Sequence, residues 1–113
     1  MNNPEAYKMT LEDLKQFQQN MQLLLNPKID ESEKRQIATS MKQMQRILKK
    51  VQGDADATDF SVFYAYHIGG QTVRNLSAQY GINEGTIRRA RTRVVNKIAV
   101  LLYPDIIFAG IFD

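Results

Sequence analysis

Apolar residues recur at spacings of three and four through most of this chain, the period of a helix with one face turned inward. Leu11, Leu14, Phe17, Met21, Leu24 and Leu25 mark a first helix. Thr10 is its expected N-cap, and residues 1 to 9 form a polar, frayed lead with Tyr7 and Met9 as early contacts. Pro27 stops this helix. Asp30 or Ser32 starts a second, whose acidic first turn of Asp30, Glu31 and Glu33 suits the positive end of a helix dipole. Its apolar positions, Ile37, Met41, Met44, Leu48 and Val51, make a heptad seam that matches Leu14, Phe17, Met21 and Leu24. Short connections make neighbouring helices antiparallel, so residues 10 to 52 predict a helical hairpin within an N-terminal unit of residues 1 to 52. Two outcomes stay open for its stripes. They pair with each other and dock on the later helices, or part of the surface is a homodimer seam to which methionines lend an adaptable fit.

Residues 53 to 59, GDADATD, are small and acidic and read as a linker. Their alternating aspartates resemble the opening of a calcium loop, but the loop's glycine would fall at Asp59 and its closing carboxylate at Ala65, so no metal is expected. Thr58 or Asp59 starts a third helix through Phe60, Val62, Phe63, Tyr64 and Tyr66, ending at Gly69-Gly70. These aromatics are expected to be core that supports the next two helices. His67, the only histidine, has no carboxylate or serine at a useful spacing and is expected to be structural or surface.

From Gly70 to Lys97 the pattern is two helices joined by a tight turn. Thr72 caps the first, Val73 and Leu76 face inward, and the small Ser77 stands where the helices approach closely. Gly81 can take the left-handed conformation that ends a helix, and Ile82 plugs the angle between the two. Asn83 caps the second helix, with Ile87, Ala90 and Val94 inward and Arg88, Arg89, Arg91 and Arg93 outward. This order of apolar, small and glycine positions is what a helix-turn-helix needs, so residues 60 to 103 are expected to form a DNA-binding domain in an all-α chain. The second helix continues to Tyr103, and its apolar latter half must pack on the hairpin or on a second subunit. Pro104 ends it. The tail, residues 104 to 113, carries Ile106, Ile107, Phe108, Ile111 and Phe112; it folds back into the core or meets another chain.

Charge sharpens this picture. Net charge is only +3, and residues 1 to 58 are nearly neutral, but from Thr72 to Lys97 six basic residues face a single acid, Glu84. A concentrated positive face attracts phosphate backbones. Arginine's planar fork bonds guanine bidentately or clamps phosphate. Glu84, Gly85, Arg88 and Arg89 lie at the start of the helix, which enters the major groove, while Arg91, Arg93 and Lys97 are backbone contacts or partly turned away. Thr86 and the amides near Asn83 are expected to hold phosphate, and Thr72 and Asn83 complete the candidate DNA-binding residues. No cysteine, no membrane-length apolar run and no secretion leader are present, which suits the cytoplasm and no membrane partner. Without a nucleophile–base pair, metal cluster or glycine-rich phosphate loop, no enzymatic activity and no cofactor are expected.

Gly70, Thr72, Leu76, Ser77, Gly81, Ile82, Thr86, Ile87, Arg88 and Arg89 resemble the last region of the bacterial sigma-70 family, which reads the upstream promoter element. Two positions depart from that pattern: the usual alanine is Ser77, and Gly85 lacks a side chain that the family often aims at a base. The resemblance implies that Glu84, Arg88 and Arg89 read bases. The last 45 or so residues look like small sigma-like regulators of phages and prophages, of the ArpU and RinA types. That likeness implies a late-gene activator that binds double-stranded DNA upstream of promoters and touches RNA polymerase. Two other classes stay open, a phage terminase small subunit and a protein–protein adaptor with a vestigial helix-turn-helix. A dimer, through the hairpin or the apolar tail, would let two heads read a palindromic site.

Overall fold

Five helices of this chain begin at a side-chain oxygen that takes an otherwise unpaired amide three residues on. The computed structural model, which describes residues 3–109, contains α1 (Pro4–Leu24), α2 (Glu31–Asp54), α3 (Ala57–His67), α4 (Val73–Tyr80), α5 (Glu84–Leu102) and a short α6 (Pro104–Ile107), and no strand among the described residues. The chain is all-α. The five caps are Asn3 to Ala6, Asp30 to Glu33, Asp56 to Asp59, Thr72 to Asn75 and Asn83 to Thr86, at 2.8–3.1 Å. Each contributes on the order of 1 kcal/mol.

Two boundaries differ from the sequence expectation. The first helix starts at Pro4 behind Asn3, not behind Thr10. Thr10 lies inside it, fully buried, and its hydroxyl donates to the Ala6 carbonyl at 2.8 Å, so no polar group is stranded. The expected linker of residues 53 to 59 shrinks to Ala55-Asp56. Gly53 and Asp54 stay helical on an open surface, where a Cβ at Gly53 would meet nothing within 4 Å, and Asp56 caps α3 in place of Thr58 or Asp59.

α5 is the axis of the packing. Its Val94, Val95 and Ile98 meet Leu14 and Phe17 of α1, Met41, Met44, Leu48 and Val51 of α2, and Phe60 and Phe63 of α3 in one buried cluster. The hairpin stripes therefore pack on each other and on α3 and α5, the first of the two outcomes left open. What they leave uncovered is an apolar groove of about 800 Å³ between α1, α2 and α3, lined by Phe17, Met21, Leu24, Leu48, Phe60 and Tyr64 among others. Leu25, 78% exposed, stands at its rim.

The described part of the tail folds back. Ile107 is buried with Ala6 of α1 and Ala99 of α5, and Ile106 and Phe108 pack beside them. Asn3 Nδ2 donates to the Ile106 carbonyl at 3.4 Å, and the Tyr103 hydroxyl donates to the Asp13 carboxylate. Burial first, then the Asp13 carboxylate, pushes the Tyr103 hydroxyl up to about 12, so it stays a donor at neutral pH. Ile111 and Phe112 lie outside the described residues.

Because one cluster joins the hairpin to α5, Ile98→Ala should cost about 2–5 kcal/mol in urea unfolding, whereas Leu25→Ala should change stability by less than about 0.5 kcal/mol. The hairpin and α5 should unfold in a single transition. Separate transitions, or a loss below about 1 kcal/mol for Ile98→Ala, would contradict the shared core.

Candidate nucleic-acid interface

The end of α5 that projects beyond the main core is built on a second, smaller one. Val62 of α3, Leu76 of α4, and Ile87 and Ala90 of α5 are buried together, with Val73, Tyr80 and Ile82 half-buried around them. Gly81 ends α4 at φ 69°, ψ 29°, a left-handed conformation that costs an L side chain energy and glycine none. Its amide and that of Ile82 both return to the Ser77 carbonyl. The Ser77 hydroxyl in turn donates to the Ile82 carbonyl at 2.5 Å. Ser77 thus satisfies a turn carbonyl that an alanine would leave without this donor. Three residues, Gly81 to Asn83, suffice to turn α4 into α5.

At the start of α5 the candidate residues divide by what holds them. Asn83 and Glu84 are exposed, and the Asn83 side chain is occupied by its cap on the Thr86 amide. Arg88 is exposed, and its guanidinium lies 3.6 Å from the Glu84 carboxylate one turn back. Exposed pairs of this kind hold by no more than a few tenths of a kcal/mol, so the guanidinium can exchange partners. Arg89 is exposed and donates through Nη2 to Thr86 Oγ1 at 3.1 Å. Gly85 leaves room for this arrangement. A Cβ there would stand 3.3 Å from Asn83 Oδ1 and 3.4 Å from Arg89 Nη1. A side chain at residue 85 would therefore press on the oxygen that caps α5 and lie in ordinary contact with the Arg89 guanidinium, which reaches back along the first turn.

Of the four arginines expected to face outward, Arg88, Arg89 and Arg93 are exposed and Arg91 is half-buried, and Arg91 and Arg93 are each engaged by α3. Arg91 turns in over the Tyr66 ring, 4.0 Å from its centroid, and its buried Nε has no hydrogen-bond partner. Four residues after Ile87 and three before Val94, it stands beside the buried stripe and packs by cation–π contact on α3. Arg93 grips Asp59 at the start of α3 with two bonds, Nε at 2.7 Å and Nη2 at 2.9 Å. That bond and the positive charges of Arg93 and Lys97 hold the Asp59 carboxyl below its usual range, against a smaller opposing effect of burial, and the same bond raises Arg93. Lys97 is exposed three turns along the helix, and Thr72 is exposed at the start of α4. Arg74, in the first turn of α4, belongs to the basic excess without any sequence signal that marks it as a contact; it is exposed and has no acidic partner among the described residues.

His67 lies against Phe63 and Tyr66, with ring centroids 5.2 and 4.9 Å away. Its Nε2 is buried and unpartnered. Burial, reinforced by the Arg91 charge, pushes it down to about 4, so it packs as a neutral ring. No cluster of His, Cys, Asp or Glu that could hold a metal occurs among the described residues, and none of the described helices is long and apolar enough to cross a membrane. Comparisons with protein-family models, with curated proteins and with solved structures find no match to this chain.

This geometry sets two measurable expectations. Gly81→Ala should lose roughly 1–2 kcal/mol through the left-handed backbone alone, since a Cβ meets nothing within 4 Å; an unchanged urea midpoint would contradict the turn. The unfolded chain binds a proton on His67 near its ordinary value of 6.5 while the folded chain waits until about 4, so stability should fall as pH drops from 7 to 5. His67→Phe should flatten that dependence. A wild-type urea midpoint that stays constant over this range would show that the ring is not held neutral by burial.

Proposed function

We propose that this chain is a sequence-specific, double-stranded DNA-binding regulator of transcription that reads the major groove with the first two turns of α5. The observation that carries the reading is the contrast between its arginines. Arg91 and Arg93 are committed to α3, while Arg88 and Arg89 are exposed, weakly held and displayed on a helix whose other half is fixed in the core. Holding the base-reading fork on a rigid rod reduces the entropy lost on binding. Each guanidinium can place two parallel donors on guanine O6 and N7. The α5 amino terminus and the exposed Arg74 and Lys97 supply contacts for phosphates flanking the bases.

In this reading Arg91 and Arg93 act as braces. Cation–π packing on Tyr66 and the bidentate bond to Asp59 fix the rotation of α5 against α3, and so the direction in which Arg88 and Arg89 point. The sequence likeness to small sigma-like phage and prophage regulators supports a role in activating late genes from upstream of a promoter, with RNA polymerase as a second partner. One such helix covers only a few base pairs, so two copies on one palindromic site would extend the readout.

Selection from a random duplex library, followed by gel shift on the enriched sequence, tests the reading. Wild-type protein should enrich a defined motif, and Arg88→Ala with Arg89→Ala should weaken binding to it by roughly 30-fold or more, from about 1–3 kcal/mol per lost bidentate contact. Equal binding by both proteins, or no enriched motif, would overturn it.

A further inference from the structure

The near-neutral count of the amino-terminal half conceals a one-sided helix. After Glu33, α2 carries no acidic residue until Asp54, and between them lie Lys34, Arg35, Lys42, Arg46, Lys49 and Lys50. At 100° per residue, Arg35, Lys42, Arg46, Lys49 and Lys50 fall on the side of α2 opposite Met41, Met44, Leu48 and Val51, which are buried. All five basic residues are exposed, and none has an acidic partner among the described residues. Lys42, Gln45, Arg46 and Lys49 line a shallow concavity of about 590 Å³. With Arg35 and Lys50 they make a positive ridge roughly 22 Å long at 1.5 Å per residue.

We infer that this face of α2 is a second contact surface for the phosphodiester backbone of duplex DNA, one that binds without reading sequence. Duplex DNA presents about one negative charge per 1.7 Å of axis, so a ridge of this length faces a continuous line of phosphates. Exposed glutamines and Thr39 between the cations can donate to phosphate oxygens as well. A membrane fits this face less well. An amphipathic helix needs an apolar face to insert, and that of α2 is spent in the core. The inference takes its partner from the proposed function but does not use Arg88 or Arg89.

The test compares three proteins on the selected duplex and on a random duplex, over a series of salt concentrations: wild type, Arg88→Ala with Arg89→Ala, and Lys42→Gln with Arg46→Gln, Lys49→Gln and Lys50→Gln. The α2 variant should bind both duplexes at least about 10-fold more weakly at 0.1 M salt, with the slope of log affinity against log salt reduced by about 2–4. The Arg88 and Arg89 variant should lose preference for the selected duplex and keep its binding to the random one. In wild-type protein, duplex should also protect Lys42, Lys49 and Lys50 from acetylation, a readout that needs no variant to fold. An unchanged slope in a folded α2 variant, or no protection, overturns the inference. So does stronger binding of wild-type protein to vesicles of phosphatidylserine than to duplex. Loss of binding in the α2 variant while the Arg88 and Arg89 variant still prefers the selected duplex would sink the major-groove reading and leave the α2 surface standing; no binding of wild type to any duplex at low salt removes both.

Discussion

The burial of one half of α5 is the constraint on which the rest of this structure depends. Val94, Val95 and Ile98 are inaccessible to solvent and are covered by three different helices, whereas Arg88 and Arg89, two turns earlier on the same rod, stand in water. A helix is stiff over such a distance, so fixing its apolar half fixes the position of its polar half. The amino-terminal hairpin then has a definite purpose in the fold. It is the platform that receives α5, and α3 joins it from the other side through Phe60 and Phe63. The smaller cluster around Leu76 and Ile87 has only to hold α4 at the turn.

Much of this is legible in the chain because several local signals agree. At the turn, Thr72, Gly81 and Asn83 each have a backbone reason to be where they are, and the observed caps and the left-handed φ fall on those residues. The seams of the first two helices are readable from spacing alone. Spacing fails where it must decide between equally plausible caps. Asn3 with Pro4 and Glu5 behind it is itself a strong helix start, but Thr10, also a capping type, stands directly before the first apolar repeat. Its hydroxyl can instead bond back within the helix, which spacing cannot reveal. Gly53 has the look of a break because glycine is a poor helix former, yet one glycine on an exposed face costs only about 1 kcal/mol and a packed neighbour such as Val51 outweighs it.

The site is half legible for a different reason. Composition marks where positive charge accumulates but says nothing of which cations are already engaged. Arg91, expected outward, flanks the stripe of Ile87, Ala90 and Val94, and that helical phase is the signal that could have turned it toward α3. No local pattern does so for Arg93, because its partner Asp59 lies 34 residues away on another helix. Gly85 reads in the sequence as a position without a side chain for a base; the fold adds that a Cβ there would crowd the Asn83 cap oxygen at 3.3 Å. Conversely, averaging hides the basic side of α2: acids in the first turn of α2 and beyond its end cancel a ridge that helical geometry keeps apart from them.

Backbone amide shifts of the isotope-labelled protein, recorded by NMR during titration with its selected duplex, test the central claim most directly. On this account the perturbed amides cluster at residues 83–89, around Arg74 and along the basic face of α2 at residues 42–50, while Val94, Val95 and Ile98 keep their shifts because the core does not move. Perturbations confined to the apolar groove of α1, α2 and α3, with residues 83–89 silent, would contradict it.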